Sequence, residues 1–178
     1  MSQRYTEIPP PSPVCPRVCQ RPLPPYRYVL GIHPHPTRDP QGHRTGAVGL
    51  TTEEQWRYGI DLFNARYYFE AHEAWEHVWR MTVRGSPEFR ALKGLIQVSA
   101  SLLVLHLGRF AASRILATRG VGNLRTASTC RPVVGGLKLV RVAQEAAQRL
   151  LEPPYPSSLE GVSLQLQPED LRSPLWSP

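Results

Sequence analysis

A histidine and a glutamate one helical turn apart, His72 and Glu76 in the stretch FEAHEAWEHVWRM of residues 69–81, have the types and spacing to do chemistry. At about 100° per residue they share one arc of a helix with Trp75 and Trp79, whereas Glu70, Glu73, His77 and Arg80 fall on another. The tryptophans mark the buried side, which predicts that His72 and Glu76 face inward. Burying such groups costs on the order of several kcal/mol unless they are hydrogen-bonded, ion-paired or bound to a metal. An imidazole beside a carboxylate could supply two ligands to a divalent cation or act as a general acid–base couple.

The familiar helical metal motifs do not fit. A His-Glu-x-x-His site stacks two imidazoles one turn apart, but the fifth position here is Glu76, and His77 is turned away from His72. The inverted His-x-x-Glu-His pattern would need a histidine where Glu73 stands, and no glutamate lies three residues before either histidine, as di-iron bundles require. A two-ligand His-x-x-x-Glu step remains, and another element must complete it. No serine or cysteine nucleophile constellation is visible.

The elements that must position this step read as helices. Thr51 and Thr52 precede Glu54 and Gln55 in the pattern of a capping box, and a first helix runs to about Asn64. A second covers about 67–83. Ser86-Pro87-Glu88 then supplies a cap, a proline and an acid for a third helix, from 87 to about 107. Gly108 to Ser128 is helical but interrupted by Gly120 and Gly122, and a last amphipathic helix starts at Leu137 and stops at Glu152-Pro153-Pro154. No strand pattern stands out. The expected fold is all-α, an antiparallel bundle of about five helices over residues 51–152. It follows an extended Pro-rich arm over 1–50 and precedes an irregular tail over 153–178.

If helices two and three form a hairpin, His72 lies about 15 Å from the turn, which places it at the level of Gln97, and Glu76 at the level of Lys93. The expectation is a layered cluster pairing Glu76 with Lys93 and His72 with Gln97. His106 lies further along and is expected near the corner at Asn64 and Tyr67. The arm holds His33, His35 and His43, and a His-Pro-His crossing the bundle could deliver ligands that the helices lack.

These residues resemble a bacterial and archaeal family known as domain of unknown function 309. The resemblance rests on LFNARYYFEAHEAWEHVW, LKGLIQ and the later His106, with His72, Glu76, Trp79 and His106 falling on the family motif. The arm stretch PLPPYRYVLGIHPHPTRDPQGH is similar to longer members, so the likeness spans about residues 22–150. Ala65, Leu30 and Lys138 depart from the pattern, at places where a glycine, a proline and an aspartate are usual. The resemblance implies a helical bundle with a polar site and no settled activity.

Composition bounds the remaining choices. The apolar run from Gly94 to Gly108 is too short and too polar to cross a bilayer, no secretory h-region is visible, and the expected compartment is the cytoplasm. Cys15, Cys19 and Cys130 show no finger spacing and read as incidental thiols. The net charge of +7 is concentrated in residues 108–150, where eight basic side chains face Glu145 alone. Arg109, Arg114, Arg119 and Arg125 recur at five or six residues, which rotates them around a helix, so a nucleic-acid surface is disfavoured against a solvated face. Three readings stand. One is a structural or interaction module specified by a buried polar network. Another is a small-molecule or metal-assisted hydrolytic site at His72 and Glu76, with Lys93, Gln97, His106, Asn64, Trp79, His33 and His35 as binding candidates. The last is nucleic-acid binding through residues 108–150. A divalent metal is the candidate cofactor, and a homo-oligomer is left open.

Overall fold

The computed structural model describes residues 6–11, 16–19, 21–39, 49–170 and 174–175. Cys15 and His43 lie outside these, as do parts of the expected arm and tail. The fold follows from its caps. Thr51 accepts a hydrogen bond from the Glu54 amide, and Glu54 Oε2 accepts one from the Thr51 amide at 2.8 Å, which starts α1 (Thr52–Asn64) with the expected capping box. A tight corner leads into α2 (Tyr68–Met81). Ser86 Oγ accepts from the Phe89 amide at 3.1 Å, and Pro87 opens α3 (Pro87–His106). Two further helices, α4 (Phe110–Cys130) and α5 (Leu139–Leu150), complete an all-α bundle in which each helix packs against the next. Among the described residues, no helix is long and apolar enough to cross a membrane.

Trp56, Phe63 and Trp75 pack together in the core between α1 and α2. The Trp75 indole donates to the Trp56 carbonyl at 3.2 Å, and the Trp56 indole donates to the Gly135 carbonyl at 3.1 Å. That second bond seats a feature the sequence reading missed, a hairpin of β1 (Val133–Val134) and β2 (Leu137–Lys138) with Val134 opposite Leu137. Its turn residues Gly135 and Gly136 both have positive φ, 50° and 82°, the backbone that a two-residue hairpin needs. The last helix therefore starts at Leu139 rather than Leu137.

The expected interruption of α4 does not occur, because its glycines serve packing instead. A Cβ on Gly120 would lie 2.9 Å from the Gly94 carbonyl oxygen and 3.1 Å from the Val98 amide. The backbones of α3 and α4 thus meet at a pair of glycines. Gly122, by contrast, faces open space.

The described parts of the arm lie on the bundle. A proline-rich stretch cannot pair its own backbone, so its carbonyls take donors from the helices. Tyr58 Oη donates to the Pro22 carbonyl at 2.9 Å, Tyr67 Oη to that of Pro24 at 3.0 Å. Its free amides find buried carboxylates: Asp61 accepts from Val18 and Cys19 at 2.6 and 2.7 Å, and Glu70 accepts from Tyr28 at 2.9 Å. In the described part of the tail, Leu159, Val162, Leu164 and Leu166 are buried. Asn64 holds it with two bonds, donating to the Leu166 carbonyl at 2.9 Å and accepting from its amide at 2.7 Å.

Candidate functional site

The buried stripe of α2 runs through Ala71, Ala74, Trp75 and Val78, spaced i, i+3, i+4 and i+7. At about 100° per residue, His72 and Trp79 lie roughly a quarter turn from its centre and Glu76 further still. The expected inward orientation is therefore corrected. The His72 side chain is 30% exposed and that of Glu76 27%, and Trp79 is half-buried against Phe89, with ring centroids 4.8 Å apart. Trp75 alone of the four is fully buried.

The layered cluster with α3 is corrected too. Lys93 is exposed, and Glu76 pairs with Arg80 one turn along its own helix, 3.0 Å away. Gln97 turns towards α4, where its Oε1 accepts from Asn123 at 2.8 Å. His106 hydrogen-bonds to the arm. Its Nε2 lies 2.6 Å from the Thr6 carbonyl oxygen, and Asn64 is committed to the tail.

What α2 does bring together is His72, Glu73 and Glu76. Each offers a ligand atom, and these atoms lie within 4.8 Å of one another. His72 Nδ1 is 3.2 Å from Glu73 Oε1. That hydrogen bond holds the Glu73 carboxyl below its ordinary range; partial burial opposes the shift, and the charges of His72, Arg80 and His35 add to it. Glu73 was assigned to a different arc from helix periodicity. Periodicity orders the Cα–Cβ directions, whereas a glutamate carries its carboxylate two methylenes further and can swing back over the neighbouring residue.

One nitrogen and two carboxylate donors suit a borderline divalent ion such as zinc or manganese, and three protein ligands leave positions open. The same outer face includes Phe69, which lies three and four residues before His72 and Glu73. Phe69 is covered by the arm, with Tyr28 at 4.5 Å and His35 at 5.7 Å between ring centroids. His33 is turned into the arm, stacked on Tyr26 at 4.3 Å, with Nδ1 accepting from the Val29 amide at 3.3 Å.

Two carboxylates that the sequence reading did not single out, Asp61 and Glu70, are buried and hold the arm. Burial raises the Asp61 carboxyl above its ordinary value, and the two amide bonds and Arg17 offset this only in part. Four of the eight basic side chains of residues 108–150 are engaged. Arg131 pairs with Glu88, Lys138 with Glu169 at 2.8 Å, Arg141 with Glu145 at 2.8 Å, and Arg114 lies over the Tyr155 ring at 4.0 Å.

No curated protein and no solved structure matches the chain. Residues 56–116 match the model of one family, a stretch that runs from within α1, across α2 and α3, into α4 and contains all three candidate ligands. That segment is similar to the family described as Domain of unknown function (DUF309).

Proposed function

We propose that this protein is a divalent-cation-binding helical module, with His72, Glu73 and Glu76 as ligands and the remaining coordination positions open to water or a small anionic substrate. The observation that carries the reading is the convergence of three donor atoms within 4.8 Å on one face of α2. Metal sites with three protein ligands and an open position are the kind that activate bound water, so metal-assisted hydrolysis is the reaction class this donor set would serve. The test is calorimetric titration of the metal-free full chain with Zn²⁺ and with Mn²⁺. The reading predicts one ion per chain for at least one of them, with binding lost in His72→Ala and weakened at least tenfold in Glu76→Gln. Affinity should fall as pH is lowered, because the imidazole and carboxylates must shed protons to bind. Absence of binding, or wild-type affinity in His72→Ala, would overturn it.

A second reading is a structural or interaction module whose surface ion pairs happen to converge. It is favoured by the Arg80–Glu76 pair, which already occupies one oxygen. Nucleic-acid binding through residues 108–150 has less support, because several of its cations are committed within the molecule.

A further inference from the structure

We propose that the solvent-facing side of α4 is a docking groove for an acidic amphipathic helix of a partner protein. The groove is open, about 430 Å³ in volume, and among the described residues it is lined by Ala111, Arg114, Ile115, Thr118 and Arg119. The outer face of a bundle helix is normally polar, yet Ile115 is 53% exposed here. Phe110, one turn before Arg114, and Tyr155, which lies under the Arg114 guanidinium, are each 46% exposed. Three large apolar side chains therefore meet water around one stretch of one helix.

The spacing says what shape fits. Ala111, Ile115, Thr118 and Gly122 stand four, three and four residues apart, the seam along which one helix lies on another. Arg114 and Arg119 take the positions that flank this seam on either side, where ion pairs across the interface select the partner by charge. The Arg114 guanidinium is held over the Tyr155 ring at 4.0 Å, and Arg119 has no ion partner among the described residues. No acidic residue occurs anywhere in α4, so two copies of this face repel, whereas a helix with leucines in its seam and glutamates on both flanks complements it. Gly122 points the same way. A glycine inside a helix weakens it; Gly120 has its reason in the crossing with α3, but a Cβ on Gly122 would meet nothing within 4 Å. Two residues on, and so nearly opposite on the helix, Gly122 lets an incoming backbone approach α4 as α3 does at Gly120. Nucleic acid is a poorer fit, because the arginines straddle an apolar strip one helix wide instead of tracking a phosphate backbone.

The test measures binding of the full chain to a labelled synthetic helical peptide with leucines along one seam and glutamates on its flanks. The same peptide with lysines for glutamates and a short duplex DNA are the alternative probes. Wild type is compared with Ile115→Glu, Arg119→Glu, Gly122→Leu and the control Arg84→Glu, a charge reversal in the exposed turn at the other end of α3. All these positions face solvent, and thermal unfolding checks that each variant folds. The acidic peptide should bind wild type and Arg84→Glu alike and bind the three groove variants about tenfold more weakly or worse, with the lysine peptide and the DNA failing to compete. Gly122→Leu keeps every charge and favours the helix, so its loss of binding reads close approach alone. Absence of binding to wild type, wild-type affinity in Ile115→Glu or Gly122→Leu, or equal weakening in Arg84→Glu would overturn the proposal. So would tighter binding of the DNA than of the acidic peptide, lost in Arg119→Glu, which assigns the face to nucleic acid. A wild-type dimer in sedimentation that Gly122→Leu abolishes would overturn it too, by assigning the face to a second copy of this chain.

Discussion

Glu76 pairs with the Arg80 guanidinium 3.0 Å away, and in the proposed reading the same carboxylate would also serve a cation with His72 and Glu73. An exposed i, i+4 pair of this kind contributes only about 0.3–0.5 kcal/mol to stability. Arg80→Ala should therefore leave urea stability within about 0.5 kcal/mol of wild type. It should also tighten Zn²⁺ binding severalfold in calorimetry by freeing the oxygen and removing a nearby positive charge. Weaker binding in Arg80→Ala would mean that the guanidinium organises the site rather than competing for it. At this scale the sequence revealed His72 and Glu76 through their one-turn spacing, and it misled about their direction. Tryptophan carries a polar indole N–H and is seldom fully buried, so Trp79 was a poor guide to the core side. Glu70 was illegible for another reason: its cover comes from the arm, and the periodicity of α2 carries no information about a segment some forty residues earlier.

At the level of elements, the level of contact between α2 and α3 was legible and its azimuth was not. Ser99 Oγ donates to the Tyr68 carbonyl at 2.7 Å, and Trp79 packs on Phe89, close to the levels counted from the turn. The count uses only the rise per residue, whereas the facing side depends on which side chains α4 and the arm cover. The glycines of α4 were read as breaks because propensity was weighed without the neighbour that needs them. A direct comparison tests the close crossing. Gly120→Ala should lower stability by about 1–3 kcal/mol, since its Cβ meets the backbone of α3 and cannot be accommodated by a side-chain turn. Gly122→Ala, in open space, should raise it by about 0.5–1 kcal/mol. Urea unfolding of both variants reads the two signs, and equal effects would contradict the crossing. The hairpin at 133–138 was visible in principle, since a Gly-Gly pair between Val-Val and Leu-Lys-Leu is a two-residue turn signal.

Across the whole molecule, the arm and tail are bound by side chains of the corner between α1 and α2. Asp61 shows the consequence. Asp61→Ala removes the acceptor of two arm amides, which should cost about 1–3 kcal/mol and speed amide exchange around Val18 and Cys19 while leaving the helices protected. Asp61→Asn keeps one acceptor without the buried charge and should cost less. Because burial raises the folded carboxyl above its ordinary value of 3.8, the proton-linked part of Asp61's contribution is fully present below about 3.8 and is lost as pH rises through the raised folded value, while the two amide bonds persist. Lower stability in Asp61→Asn than in Asp61→Ala would contradict this assignment. Such clamps left no periodic trace in the sequence, since they join single carboxylates to backbone amides far along the chain. The proposed cation site lies on α2, the helix whose Phe69 and Glu70 also touch the arm. Crystals of the full chain grown with Zn²⁺ and measured at the zinc absorption edge give the most direct view of it. The account predicts an anomalous peak within coordination distance of His72, Glu73 and Glu76; a zinc peak held only by other residues, or none at all, would contradict it.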